Sequence, residues 1–406
     1  MKKIVKILAV VTPLFFIGCG SSSSNSTEDS GIKGGEMVVD FSASRMKKLL
    51  VDQGMITEKE TVFGYKAYKI PYITTDDRSL ELNASGLLVI PTGVPSIVEE
   101  SGLSMVSDGH GAIFKNIDAP TVHASTYGTP TGAPILLTSI GGFATLQADY
   151  IGFGDSNRHY HPSGLKKSSA NSVVDFIKQV KIFAKENNIK LNQQLFLTGF
   201  SEGGYTTMAS LKKVEEEVTN LSVSMAIPMA STYSMKKRSD KELLINPASD
   251  ANTAYAYARA YDIELSSIFN EPYLSRIPTL FDGTNSMEEI NKQLTTKATG
   301  EGGLFNETIS DADWLKKAIV ENSVGSWGAE TTIRLINCEG DEVAPFSEAN
   351  VTIGEMREMG AEDIEIISLE KRLGLSQKLG HMECAVPLYK LATEIFADER
   401  KATIGY

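Results

Sequence analysis

The stretch Leu195-Phe196-Leu197-Thr198-Gly199-Phe200-Ser201-Glu202-Gly203-Gly204 decides how the rest of the chain is read. It begins as an apolar run of strand length, turns, and passes into a pattern that reads as a helix opening at Tyr205. Inside lies G-x-S-x-G, with Gly199 and Gly203 two residues either side of Ser201. The spacing has a steric reason. A serine on a sharp strand-to-helix turn brings its neighbours hard against the strand and the helix, and glycine leaves room there. A hydroxyl so placed stands above a sheet and near a helix N-terminus, where developing negative charge is favoured. Alone, the five-residue pattern is weak. The apolar strand before it and the helical pattern after it make Ser201 a candidate nucleophile rather than part of a plain glycine-rich connection.

Moving upstream, Ser168 to Asn187 predicts a helix whose apolar residues, Val173, Val174, Ile177, Val180, Ile182 and Phe183, cover a broad face. Phe143 to Tyr150 predicts a strand and Pro134 to Gly142 a helix ending in two glycines. Leu103 to Ser107 is a further short strand. Thr61 to Thr75 and Leu80 to Pro91 alternate around Asp76-Asp77-Arg78-Ser79 and predict an antiparallel hairpin. Downstream, Tyr205 to Val218 predicts a helix and Leu221 to Ala230 a strand. Residues 231–329 then lose the rhythm and keep only helical patterns, around Tyr255, Tyr257, Tyr261, Leu265, Ile268, Phe269 and Trp314. Alternation resumes with a strand over Thr331 to Cys338, a helix over Pro345 to Met359 and a strand over Ile364 to Leu369. A loop holding His381 and a last helix over Met382 to Asp398 follow. Strand and helix by turns is the mark of an α/β protein, with a mainly parallel sheet covered by helices on both faces. Residues 36–230 and 330–406 form that core, and 231–329 are an inserted helical cap over the site.

Residues 1–18 read as a signal peptide, with Lys2, Lys3 and Lys6 before a mostly apolar run too short to span a bilayer comfortably. Phe16-Ile17-Gly18-Cys19 resembles a bacterial lipobox, which implies cleavage before Cys19, acylation there, and anchoring to a membrane facing away from the cytoplasm. Gly20 in the next position resembles signals sent on to an outer membrane. Residues 19–35 are a serine-rich tether. The formal charge of −12 falls to −15 when the three leading lysines are removed, and so acidic a chain argues against nucleic acid as a partner. No metal-ligand cluster of His or Cys is visible. The expected contact with a membrane is the lipid at Cys19, and no obligate protein partner is expected.

A strand–turn–helix carrying G-x-S-x-G within such an alternation resembles the α/β-hydrolases, in which the order along the chain is serine, acid, histidine. The chain has five histidines, His110, His123, His159, His161 and His381, and His381 alone follows Ser201. Asp341 lies in the turn just after the preceding strand and is the nominated acid. Asp282 lies in the insertion, Glu339 stands too close to the strand end, and Glu342 would point away if Asp341 points in. The resemblance also implies an oxyanion hole built from the backbone N–H of Glu202 and one N–H from the Asp108-Gly109-His110-Gly111-Ala112 turn. That second donor is Ala112 or His110. The Glu202 side chain is then free to vary, and a carboxylate beside the nucleophile would discourage anionic substrates or hasten release of an acid product. Cys338 lies three residues before Asp341 and Cys384 three after His381. They are either a disulfide pinning the acid loop to the histidine loop or two buried thiols.

Over about Phe63 to Ala397 the chain resembles the bacterial branch of the secretory lipases, similar to fungal lipases of the lipase-A type. The residues that carry the resemblance are His110-Gly111, Ala148-Asp149-Tyr150-Ile151-Gly152-Phe153-Gly154 with His161-Pro162, Gly199 to Gly204, Gly340 to Pro345 and Gly380-His381. It implies an extracytoplasmic carboxylic ester hydrolase with a helical cap, using Ser201, Asp341 and His381 and no metal or organic cofactor. Glu202, where the family more often has glutamine, and Asp108-Gly109 before the His-Gly turn are departures. A peptidase on the same fold, an acyl transferase, and a non-catalytic binding protein that kept the fold are the rival readings.

Overall fold

The computed structural model describes residues 32–130, 132, 135–234 and 246–406. Nine strands form one sheet in the order β1-β2-β3-β5-β4-β6-β7-β8-β9. In chain order these are β1 (Glu36–Phe41), β2 (Gly64–Thr75), β3 (Glu81–Thr92), β4 (Leu103–Gly109), β5 (Ala144–Ala148), β6 (Leu191–Phe200), β7 (Met225–Met229), β8 (Ile333–Asn337) and β9 (Ile364–Ser368). The first four in the sheet, β1, β2, β3 and β5, pair antiparallel. From β5 to β9 every pairing is parallel. The hairpin of β2 and β3 pairs Thr75 with Glu81 at its tip, and Asp76 closes the turn by accepting from the N–H groups of Arg78 and Leu80, each at 2.9 Å.

The parallel strands are buried on both faces because successive side chains point to opposite sides. On β6, Leu195 and Leu197 face the helices Lys166–Glu186 and Glu202–Glu217. Phe196, between them, faces Phe143 and Phe396 of the other layer. Strands β4 and β7 divide in the same way, Met105 against Val106 and Ala226 against Ile227. The sheet is thus the middle layer of three, and the C-terminal ends of its parallel strands come out at one edge, where open α/β sheets hold ligands.

Between β7 and β8 no described residue joins the sheet. The segment carries the helices Pro247–Ala260, Ile277–Leu280, Met287–Asn291 and Asp313–Asn322. It packs a small apolar cluster of its own around Ile268, Phe269, Ile277, Leu304 and Phe305. The part of the expected cap over residues 235–245 lies outside the described residues, as do the signal peptide, Cys19 and most of the tether. Among the described residues no helix is long and apolar enough to cross a membrane, and no group of three His, Cys, Asp or Glu is placed to hold a metal ion.

The structure differs from the sequence reading at several boundaries. The sequence reading places no strand or helix between residue 36 and Thr61, where the structure has β1 and the helix Ala43–Asp52. Burial of Met46 and Leu50 against the β2–β3 hairpin decides them. The helix after the serine opens at Glu202 rather than Tyr205, because Gly203 and Gly204 are helical despite their poor propensity. The strand expected over Leu221 to Ala230 is only Met225–Met229. The last helix runs His381–Ile404, so His381 is its first residue rather than part of a loop.

Candidate active site

Three segments at the C-terminal edge of the sheet meet around Ser201. At the end of β6, Ser201 sits at φ +58 and ψ −121, a conformation that side chains rarely adopt. The glycines make the turn feasible. A Cβ on Gly203 would overlap the Gly109 carbonyl oxygen of β4, and one on Gly199 would overlap the Gly203 carbonyl. The helix therefore seats backbone to backbone on β4, and the Ser201 N–H is held by the Met229 carbonyl at 3.0 Å.

The turn after β8 supplies Asp341, whose side chain is fully buried. Its Oδ1 accepts from the N–H groups of Val343 at 2.9 Å and Ala344 at 2.7 Å. The His381 Nδ1 lies 2.9 Å from Oδ2, and Nε2 lies 3.0 Å from Ser201 Oγ. A carboxylate facing Nδ1 fixes the proton there, so the Nε2 lone pair accepts from the serine hydroxyl. The three residues nominated from the sequence are brought into one hydrogen-bonded line across separations of 180 and 40 positions.

One neighbour in this region behaves differently from expectation. Glu342 was expected to point away, but its Oε2 accepts from the backbone N–H of His381 at 3.0 Å. The free N–H groups at the start of the last helix attract the carboxylate. The Glu202 side chain, beside the nucleophile, has its Oε1 2.8 Å from His161 Nε2. The other carboxylates weighed from the sequence serve elsewhere. Asp282 closes its own turn onto Thr284, and Glu339 pairs with Lys371 at 2.8 Å.

Cys338 and Cys384 are bonded, with Cα atoms 6.4 Å apart. The link joins the residue after β8 to the first turn of the last helix, beside Asp341 on one side and His381 on the other. Thiol titration of a denatured, unreduced Cys19→Ser chain is therefore expected to find no reactive thiol, and two thiols per chain would exclude the bond.

A cavity of about 370 Å³ opens from Ser201, within the range of small-molecule sites. Ala112, Phe114 and Glu202 line it from the core. Tyr257, Ile268, Phe305, Trp314, Leu315 and Ile319 line it from the segment between β7 and β8. Of the two oxyanion-donor candidates, Ala112 faces this cavity and His110 does not. The His110 ring is instead turned back, with Nδ1 2.8 Å from the Gly111 carbonyl oxygen, and burial lowers its pKa. Among the described residues neither the Ala112 N–H nor the Glu202 N–H has a hydrogen-bond acceptor, so both are available to a ligand.

Behind these donors, two buried carboxylates pin the strand ends. Asp149 accepts from the hydroxyls of Ser85 and Thr121, both at 2.5 Å, and from the Thr121 N–H at 2.8 Å. Asp108 accepts from Tyr389 at 2.8 Å and Gln147 at 2.7 Å. Burial lifts their carboxyl groups to about 6 and about 7 respectively, against these hydrogen bonds. Neither lines the cavity, so both hold loops rather than meet a ligand. Sequence reasoning gave no role to Asp149, His161 or Glu342. The first two fall in the quoted Ala148 to Pro162 region, but nothing local shows what they bind.

A protein-family model, that of the prolyl oligopeptidase family, matches residues 134–262. This stretch holds the Ser201 turn and ends before Asp341 and His381. No match was found among curated proteins. Among solved structures the chain is similar to a protein of Legionella pneumophila subsp. pneumophila, at 21% identity and TM-score 0.79, covering 91% of this chain and 98% of that one. It is similar to the ligand-bound form of the rice cell wall degrading esterase LipA from Xanthomonas oryzae, at 17% identity and TM-score 0.72, covering 91% and 96%. Candida antarctica lipase A aligns at 13% identity and TM-score 0.59, covering 82% of this chain and 75% of that one.

Proposed function

We propose, on the premise that this chain has the α/β-hydrolase fold, that it is a serine hydrolase of carboxylic esters. The observation that carries the reading is the line Ser201–His381–Asp341 at the mouth of an apolar cavity that Ala112 and Glu202 also line. In this reading the Ser201 Oγ attacks the ester carbonyl carbon while His381 Nε2 takes the hydroxyl proton. The oxyanion is held by the N–H groups of Glu202 and Ala112, the loss of one such donor costing about 3 kcal/mol. Collapse of the tetrahedral species expels the alcohol, which leaves with the proton from His381. Water then attacks the acyl-enzyme by the same route, and the acid departs. Asp341 holds the imidazole tautomer through its contact with Nδ1. The esterase and lipase names of the structural neighbours agree with an ester substrate. The apolar walls from the segment between β7 and β8 favour an acyl chain as occupant. The proposal extends to the cell: a lipid at Cys19 and the serine-rich tether would hold the enzyme on a membrane facing away from the cytoplasm.

The test is a panel of p-nitrophenyl esters from acetate to palmitate, run on the purified chain beside Ser201→Ala. Turnover is expected to fall by about 10⁴ or more in the variant, and to peak at acyl chains short enough for the cavity. A well-folded chain with no turnover on any ester overturns the reading. The match to the prolyl oligopeptidase family model favours one second reading, a peptidase. Cleavage of peptide amides by a chain inert to esters would select it.

A further inference from the structure

Next to the Ser201 turn lies another largely buried histidine, His161, for which the ester mechanism has no task. The His161 and Glu202 side chains are only 10% and 12% exposed. His161 Nε2 faces Glu202 Oε1 at 2.8 Å, and Nδ1 faces the Ile151 carbonyl oxygen at 2.9 Å. Both partners are acceptors when the carboxylate is ionised. A neutral imidazole has one N–H and would turn a lone pair on one of them, whereas an imidazolium satisfies both. Electrostatics agree. Burial, the largest single influence on each, disfavours both charges, but their mutual attraction outweighs it. The His161 pKa ends above its ordinary value and the Glu202 pKa below.

The histidine is held firmly. A Cβ on Gly152 would lie 2.7 Å from the His161 backbone, so the loop packs tightly upon itself. The Tyr150 ring lies parallel to that of His161 at 6.2 Å and stacks on His110 at 4.0 Å. The Tyr150 hydroxyl donates to the His110 carbonyl oxygen at 3.3 Å. One row of rings thus connects the segment of Ala112 to the segment of Glu202, the two donors of the proposed oxyanion hole.

We propose that His161 is a positioning residue for the oxyanion hole: as an imidazolium it fixes the first turn of the Ser201 helix and cancels the charge of a carboxylate that follows the nucleophile directly. The inference rests on the ester-hydrolase reading for its kinetic consequence. An uncompensated carboxylate there would oppose the negative charge that grows on the substrate oxygen. The groups facing the pair are His110 and Tyr150 from the loops after β4 and β5, Ser163, and Tyr205 of the Ser201 helix. Arg158 and His159 share a neighbouring polar cavity with His161 but are exposed. Burial drives His110 toward neutrality and keeps both tyrosines protonated. The buried positive charge against Glu202 is therefore that of His161.

The experiment compares His161→Gln, Glu202→Gln and the double variant in the purified chain. Glutamine keeps a donor toward Glu202 but removes the charge. His161→Gln is expected to lower kcat roughly 10- to 100-fold with KM changed by less than about threefold. The double variant, which has no charge to cancel, is expected to recover at least about fivefold of the kcat lost in His161→Gln. The parent should also lose kcat at alkaline pH as His161 deprotonates, a limb that the double variant lacks. A double variant as impaired as His161→Gln, with the alkaline limb intact, overturns the proposal in favour of a merely structural role. A readout free of turnover separates it from the ester reading. In ¹⁵N-histidine-labelled Ser201→Ala chain, the resonance missing from His161→Gln is expected to be that of a doubly protonated ring at pH 7. A neutral ring there overturns the proposal whether or not esters are cleaved.

Discussion

Asp341→Asn is expected to lower kcat for ester hydrolysis by about 10⁴ while leaving the fold in place. The side chain has two jobs that asparagine divides. One oxygen accepts from the N–H groups of Val343 and Ala344, and the amide oxygen of asparagine can go on doing so. That orientation turns the amide NH₂ toward His381 Nδ1. A donor there demands a lone pair on Nδ1, which moves the ring proton to Nε2, where it faces Ser201 Oγ. The base then has no lone pair to accept the serine proton. Burial of Asp341 and His381 leaves little room for the ring to turn over. Steady-state kinetics beside thermal unfolding checks this. A near-normal kcat would remove Asp341 from the proposed mechanism, and Glu342, bound to the His381 N–H, would become the acid to test.

Gly203→Ala is expected to cost about 3 kcal/mol or more of stability and to abolish turnover with it. The added methyl would overlap the Gly109 carbonyl oxygen and lie 3.0 Å from that of His110. These are backbone atoms at the end of a central strand, with Gly109 opposite Gly199 in the β4–β6 register, so no side chain can rotate away. Relief requires the Ser201 helix to lift from the sheet, which carries the nucleophile and the Glu202 N–H with it. Urea unfolding and turnover measured together decide the point. The control is Gly354→Ala in the helix Phe346–Glu358, where a Cβ meets nothing within 4 Å. It is expected to be neutral or slightly stabilising, because alanine restricts the unfolded chain more than glycine. A Gly203→Ala chain as stable and active as this control would mean that the helix is not seated as described.

The parts of the site that were legible are marked by residues close in sequence or by their order along the chain. The Ser201 turn is written in ten consecutive residues. Asp341 and His381 follow from their order after it, and Asp341 also from the strand end that precedes it. The β2–β3 hairpin is written in two alternating runs and a turn of four residues. Where local signals were thin, the reading slipped. The glycines that make the Ser201 turn feasible also hid the first turn of its helix, because glycine is a poor helix former whose helical state here is set by packing on β4. β1 and its following helix pack where the hairpin gives Met46 and Leu50 a surface to cover.

By itself the sequence determined an α/β alternation with one helical interruption, a serine on a strained turn, and an acid and a histidine in chain order behind it. These depend on periodicity, backbone sterics and rank order, which a linear chain displays. The tertiary structure alone decided what those residues touch. It bonded Cys338 to Cys384 rather than leaving two thiols, turned Ala112 and not His110 toward the cavity, and bound Glu342 to the His381 N–H. It also set His161 against Glu202 across 41 positions. Each of these is a contact between distant segments, fixed by which strand ends lie side by side in the sheet and by the need of every buried charge and N–H for a partner.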